Sequence, residues 1–133
     1  MKTTWNNFKI KGKFKGEKQS NLYPEFTKNK HHRVKVTNLD NGEEIKFDYW
    51  IGSGRGFEDE TDLLEAFSSF LSDGLAAEQT LSEFAKEFGY NADVELAVKV
   101  YKKCHKALKK VMRLFGDDRD KAYDIMNKLY EEV

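Results

Sequence analysis

The sequence is poor in cysteine and proline, with one residue of each among 133. Because the single cysteine, Cys104, cannot form an internal disulfide, nothing here requires an oxidising compartment. No apolar stretch reaches the roughly 18 residues that a membrane-spanning helix needs, and the first seven residues lack the apolar core of a signal peptide. We therefore expect a cytoplasmic protein that is not associated with a membrane.

The chain also lacks net charge, since 23 Lys and Arg residues balance 23 Asp and Glu residues. The total charge thus gives no argument for a nucleic acid or a membrane as partner. The charges are nevertheless segmented: residues 1–39 hold ten basic and two acidic side chains (+8), residues 40–97 three and fifteen (−12), and residues 98–133 ten and six (+4). Such segments either steer a charged partner or pair with one another within the fold.

Patterns typical of catalysis or metal binding are absent as well. Adjacent strand residues point to opposite faces, so His31 and His32 cannot both ligate one metal ion, and no cysteine or carboxylate cluster accompanies them. Cys104 is predicted to be a small core residue, and its neighbour His105 points about 100° away around a helix. The acidic run at 58–62 begins a predicted helix, where the helix dipole favours carboxylates. We expect no catalytic site, no metal and no cofactor, and hence no enzyme.

Alternation of apolar and polar residues predicts an antiparallel sheet in residues 1–51. From Phe8 to Lys15 the residues alternate strictly, with a lysine at each odd position, as in a half-buried strand. Residues 16–32 are polar and contain the only proline, Pro24, which favours a loop or an irregular sheet edge.

A hairpin is predicted around Asn41-Gly42, because this pair suits the two positive φ values of a type I′ turn. With these two residues as the loop, paired positions sum to 83. The predicted pairs on one face are Val36 with Phe47 and Val34 with Tyr49, and those on the other face are Lys35 with Asp48 and Arg33 with Trp50.

The remainder of the chain is predicted to be helical. Thr61 can cap a first helix that ends near Gly74, a capping box at Thr80 opens a short helix that stops at Gly89, and Asp117 starts the last helix.

Strands followed by helices are typical of an α+β fold. We predict a single domain over residues 1–133, in which a small antiparallel sheet of about three strands (1–51) is packed by about four helices (57–133), one of them long.

The long helix is predicted over residues 91–115, with Asn91 or Asp93 as its cap and Gly116 as its stop. Its apolar residues recur at intervals of three and four, which predicts one buried seam. The seam residues are Val94, Ala97, Tyr101, Cys104, Leu108, Val111 and Phe115.

The outer face of this helix is basic and holds no acidic residue between its first and last lysine or arginine. The helix dipole favours cations only in the last turn, so another cause is required for four turns of positive charge. Either this face binds a phosphate backbone or an acidic protein surface, or it is solvated or docks against the acidic segment of the same chain. The candidate partner-binding residues are Lys99, Lys102, Lys103, Lys106, Lys109, Lys110 and Arg113.

Two further basic features are candidates. The lysines at 9, 11, 13 and 15 either guard an edge strand against aggregation or contact nucleic acid. Arg55 lies in the glycine-rich run 52–56, which lacks the spacing of a phosphate-binding loop and favours a flexible turn with Arg55 as an exposed contact.

Six short motifs occur in a fixed order between about Phe47 and Gly116: FDYWIGSG (47–54), DLL (62–64), SDG (72–74), LSEFAKEFGY (81–90), YKKC (101–104) and LFG (114–116). In order and spacing they resemble a widespread family of small proteins, mostly of unknown function, that bacteriophages and prophages encode. Ala85 stands where that family often has Cys, and residues 1–32 have no clear counterpart. The resemblance implies a small accessory protein of a mobile element, and it supplies no catalytic residues.

Two functions fit these observations. The first is a phage-encoded accessory protein that binds and inhibits a host defence machine, such as an anti-CRISPR inhibitor that occludes its target stoichiometrically in the cytoplasm of the host bacterial cell. Its partner would be a host protein or a ribonucleoprotein complex. The second is a nucleic-acid-binding accessory protein of phage replication or packaging. The oligomeric state does not follow from the sequence.

Overall fold

A computed structural model of the chain describes residues 1–18, 29–51, 57, 59–90 and 94–133. Within these residues four strands precede four helices, and the strands form one antiparallel sheet in the order β1-β2-β3-β4. The predicted α+β class is confirmed, with four strands where about three were expected. The elements are β1 Lys2–Trp5, β2 Phe8–Lys18, β3 Asn29–Asn38, β4 Glu44–Ile51, α1 Glu60–Ala76, α2 Leu81–Glu87, α3 Glu95–Leu114 and α4 Arg119–Glu132.

The additional strand, β1, joins β2 through a tight turn at Asn6 and Asn7. Both asparagines have positive φ, 47° and 66°, and the flanking Trp5 and Phe8 face each other. Two central residues in the left-handed region make a type I′ turn, and asparagine tolerates that region better than most residues. The Asn-Asn pair was thus the available signal for a strand that sequence analysis missed.

The predicted register of the β3–β4 hairpin is wrong by two residues. Val34 faces Phe47 and Val36 faces Ile45, so paired positions sum to 81. Arg33 consequently faces Asp48, where Trp50 had been predicted as its partner. Because side chains alternate with a period of two, this shift changes the partners but keeps every side chain on its predicted face.

The hairpin loop is longer than predicted, and its side chains form hydrogen bonds with the C-terminal end of α3. The Nδ2 atoms of Asn38 and Asn41 both donate to the carbonyl oxygen of Leu114, each at 3.0 Å. Leu114 O is among the last helix carbonyls, which have no partner within the helix. Asn38 and Glu43 close a loop of four residues, in which Gly42 has a φ of 77°. A contact distant in sequence therefore sets the turn.

We expect the two asparagines to act as a pair on stability. Asn38→Ala removes a buried donor and should lower the free energy of unfolding by about 1–3 kcal/mol, whereas Asn41→Ala should cost about 0.5–1.5 kcal/mol. Either single variant leaves Leu114 O one donor. The double variant should therefore lower the free energy of unfolding by more than the sum of the two single losses. Urea unfolding of the four proteins measures this coupling, and additivity within about 0.5 kcal/mol would contradict it.

Strand structure extends into the region predicted as a loop. β2 continues to Lys18 and β3 begins at Asn29. The register shifts between Phe14 and Gly16, which has a φ of 110°, as in a β-bulge. Pro24 lies outside the described residues.

The helix ends agree with the sequence prediction at some positions and correct it at others. Thr80 caps α2 by accepting the Glu83 N–H at 3.2 Å, as predicted, whereas the cap of α1 is Asp59 and not Thr61. The cap of α4 is Asp118, one residue after the predicted Asp117. α1 also runs past Gly74 to Ala76, because this glycine packs against α3 and does not end the helix.

α3 begins later than predicted and ends as predicted. Its N-cap is Val94, whose side chain makes no cap hydrogen bond, while Asn91 and Asp93 lie outside the described residues. At the other end, the N–H groups of Gly116 and Asp117 donate to Arg113 O and Met112 O. This is the Schellman arrangement that a glycine after the last helical turn favours.

The buried side of α3 is wider than the predicted seam. Ala97, Cys104 and Val111 are buried there, and so is Phe115 at the C-cap. Tyr101 and Leu108 are half-buried, and Val94 is exposed because it precedes the helix. Two residues outside the predicted seam, Ala107 and Leu114, are buried as well.

One core lies between the inner face of the sheet and the helices, and its residues come from β2, β3, β4, α1, α3 and α4. The fully buried residues at the centre of this core include Ile10, Val34, Val36, Ile45, Leu63, Phe67, Leu71, Val111, Leu114 and Leu129.

Within the described residues no helix is long and apolar enough to cross a bilayer.

Candidate functional site

The seven predicted binding residues of α3 do not form one uniform surface. Lys99 pairs with Glu95 at 3.1 Å, one turn away on the same helix. Lys102, Lys103, Lys106 and Lys109 are exposed, as expected for an interface or a solvated face. Arg55, the eighth predicted residue, lies outside the described residues.

The last two residues of the basic face dock against the sheet. Lys110 Nζ donates to Lys46 O at 2.6 Å, and Arg113 Nη2 donates to Glu44 O at 2.9 Å. β4 is an edge strand, and these carbonyls point away from β3. Unpaired edge carbonyls would invite aggregation, so these two contacts give part of the positive charge a structural role.

A groove of about 450 Å³ opens where α3 runs past α1 and the rest of β4. Its surface is mixed, with aromatic and aliphatic side chains beside several charged ones. The lining residues include Arg33, Phe47, Asp48, Trp50, Ser69, Phe70, Asp73, Val100, Lys103, Cys104, Lys106, Ala107 and Lys110.

Cys104 in this groove is not an activated nucleophile. Burial raises the pKa of its thiol to about 11, the charge of Asp73 raises it further, and Lys103 opposes both. Burial also raises the pKa of Asp73, against the effect of Lys103, although the Asp73 side chain keeps contact with solvent. The neighbouring His105 is exposed and packs edge-on against Tyr101, so no Cys–His pair forms.

His31 and His32 point to opposite faces of the sheet, as predicted. His31 stacks on Trp50 and contacts Asp48 at 2.9 Å, whereas His32 is buried and its Nε2 accepts the Phe57 N–H at 3.2 Å. Among the described residues no group of three or more His, Cys, Asp or Glu side chains is placed to hold a metal ion.

A second concentration of positive charge lies on the outer face of the sheet, which no helix of the described residues covers. Lys2, Lys11, Lys35 and Lys46 are direct cross-strand neighbours and form a row across all four strands. At about 4.8 Å per strand the row spans about 14 Å. We call the following eight residues the basic sheet face: Lys2, Lys9, Lys11, Lys13, Lys15, Arg33, Lys35 and Lys46.

Most of this face surrounds a shallow depression of about 880 Å³. Only two of its cations form ion pairs within the described residues: Arg33 with Asp48 at 2.9 Å and Lys35 with Glu44 at 3.7 Å. Burial would raise the pKa of Asp48, but hydrogen bonds from His31 and Arg33 outweigh it and hold the pKa below its usual value. The other six lysines have no ion pair with any described residue.

Lys11, in the middle of the row, is repelled by neighbouring lysines of the basic sheet face. Lys9 and Lys35, followed by burial and Lys2, lower the pKa of Lys11, and Glu44 opposes them only in part. Like charges placed directly opposite each other destabilise a sheet. The stability of the fold therefore does not account for this arrangement, whereas an anion bound over the row would relieve the repulsion.

The explanation that the lysines at 9, 11, 13 and 15 guard an edge strand is wrong for two of the four. Lys9 and Lys11 lie between β1 and β3, and only Lys13 and Lys15 lie beyond the end of β1. The sequence contained a signal for the wider face, because basic residues also alternate with apolar ones at Arg33 and Lys35. The sequence did not reveal the strand register that places Lys2, Lys11, Lys35 and Lys46 in one row.

Comparison of the chain with models of known protein families, with curated proteins and with solved structures gave no match.

Proposed function

We propose that this chain is a non-catalytic accessory protein that binds nucleic acid through the basic sheet face. The observation that carries the proposal is the row of Lys2, Lys11, Lys35 and Lys46, in which like charges are direct neighbours on a surface that no described helix covers. The row is unfavourable for the isolated protein, and a polyanion would make it favourable.

Phosphate groups are the chemistry that suits this face. Its cations are almost all lysines, which act as flexible point charges, whereas the rigid fork of arginine is better suited to reading base edges. The one arginine of the face, Arg33, is engaged by Asp48. We therefore expect contact with the phosphate backbone and little sequence preference.

The resemblance to phage-encoded proteins leads to a second, more specific proposal. An inhibitor of a host ribonucleoprotein, such as a CRISPR effector, could use the same face to cover the nucleic acid of its target. Capture from bacterial lysate separates the two: a host protein that stays bound after nuclease treatment supports the inhibitor, whereas a partner that is lost upon nuclease treatment supports the accessory protein.

The test is a double charge reversal within the row. Lys11→Glu with Lys46→Glu turns each like-charge neighbour pair of the row into an opposite-charge pair, so the thermal midpoint should stay the same or rise. Binding of a fluorescein-labelled DNA duplex at low salt should weaken on the order of tenfold to hundredfold. Two lost contacts should also reduce the slope of log K against log salt by about 1.8.

The control carries the same charge change on α3: Lys102→Glu with Lys109→Glu, two exposed residues outside the groove lining. It should retain most of the affinity. If the control loses as much affinity as the row variant, total charge and not the basic sheet face sets the affinity, and the proposal fails. If the parent protein does not bind the duplex at about 50 mM salt, where counterion release is strong, the proposal fails.

A further inference from the structure

The hydrogen bonds of β4 show which of its backbone groups point away from the sheet. Glu44 O and Lys46 O bond to α3, while Glu43 O accepts from Asn38 on β3. Because successive residues of a strand point in opposite directions, the even-numbered residues of β4 turn their N–H and C=O groups outward. The backbone N–H and C=O groups of Asp48 and Trp50 therefore also point outward along the β4 edge.

α3 covers this edge only at one end. Arg113 and Lys110 reach Glu44 and Lys46, so the helix runs antiparallel to the strand. Three helical residues rise about 4.5 Å and two strand residues about 6.6 Å. The contacts between α3 side chains and β4 carbonyls therefore do not repeat farther along the edge. Opposite Asp48 and Trp50 lies the groove, which separates them from the α3 lysines.

The groove offers both backbone partners and side-chain sites. Its apolar lining comes from Phe70 of α1 and from Val100 and Ala107 of α3. Lys103 and Lys106 stand at the same groove without an ion pair among the described residues, and Asp73 is the one carboxylate that faces them apart from the engaged Asp48. Positive charge is therefore in surplus.

We infer that the β4 edge at Asp48 to Trp50 is a docking site for an extended acidic peptide of a partner protein, which adds to the sheet as a further strand. The peptide backbone bonds the outward N–H and C=O groups of Asp48 and Trp50, one set of alternate side chains enters the apolar lining, and acidic side chains meet Lys103 and Lys106. Strand addition of this kind takes its affinity from main-chain hydrogen bonds and its selectivity from alternate side chains.

This site shares only Arg33 with the basic sheet face, and its test does not depend on nucleic acid. The probes are fluorescein-labelled peptides of alternating Asp and Val, the same peptide with alternate amides N-methylated, and an alternating Lys and Val peptide. Fluorescence anisotropy should show binding of the first alone. N-methylation removes the donors of the added strand and should weaken binding on the order of tenfold or more.

Two variants locate the site on the protein. Lys103→Glu with Lys106→Glu should abolish binding of the acidic peptide, while the control Lys102→Glu with Lys109→Glu, which lies outside the groove, should not. Trp50 and Trp5 are the two tryptophans, so in a Trp5→Phe background the emission of Trp50 should change upon peptide addition.

Equal binding of the N-methylated peptide would overturn strand addition, because charge alone would then explain the affinity. Equal binding of the lysine peptide would overturn the acidic preference. No peptide binding, together with concentration-dependent self-association in light scattering, would assign the edge to a second copy of the chain and overturn the proposal. No peptide binding by a monomer would overturn it as well.

Discussion

Phe67→Ala is expected to lower the free energy of unfolding by about 3–5 kcal/mol. The Phe67 side chain is fully buried at the centre of α1, and its ring lies 5.2 Å from that of Phe8 on β2. Truncation leaves a cavity between helix and sheet that rigid neighbours fill only in part. Since small domains are stable by about 5–15 kcal/mol, this one change removes a large share of the total.

Chemical denaturation followed by circular dichroism measures the loss. Phe88→Ala is the matched control, because the Phe88 side chain is 51% exposed and its removal opens no interior cavity. The control should lose much less than Phe67→Ala. Similar losses in the two variants would show that Phe67 does not occupy the centre of the core.

Gly74→Val is expected to destabilise the protein by about 1–3 kcal/mol through overpacking. A Cβ at Gly74 would lie 2.9 Å from Val111 Cγ2 and 3.2 Å from backbone atoms of Ala107 and Leu108 on α3. Val111 is fully buried and the other two contacts are backbone, so the clash is relieved only if the helices separate. The better helix propensity of valine offsets a few tenths of a kcal/mol.

Separation of α1 and α3 should also be visible at the groove. If α3 moves outward, Lys110 loses Lys46 O and Arg113 loses Glu44 O, so amide exchange along β4 should accelerate. Thr61→Val is the control, since it places the same side chain at an exposed position of α1 outside the groove lining. An unchanged stability of Gly74→Val would mean that the two helices do not approach closely at this glycine.

Much of the fold was predictable from the sequence because its rules are local. The alternation of Phe8 to Lys15 placed β2, the capping box placed Thr80 at the start of α2, and Gly116 ended α3. Each of these depends on residues within one turn or one strand. The order of strands and helices likewise sufficed for the α+β class.

The candidate interface was only partly predictable. The sequence identified the lysines of β2, but their meaning depends on Lys2, Lys35 and Lys46, which lie up to 37 positions away along the chain. Likewise, the basic face of α3 was visible as a pattern, whereas its division into residues that dock on β4 and residues that line a groove was not.

By itself the sequence determined which side chains share a face, because helical and strand periodicity are properties of the local backbone. A register error of two residues left that result intact. Only the tertiary structure decided which residues oppose each other, since the pairing of strands depends on contacts between distant parts of the chain. The anchoring of the Asn38–Glu43 loop to Leu114, and with it the alignment of Lys35 with Lys46, is the clearest case.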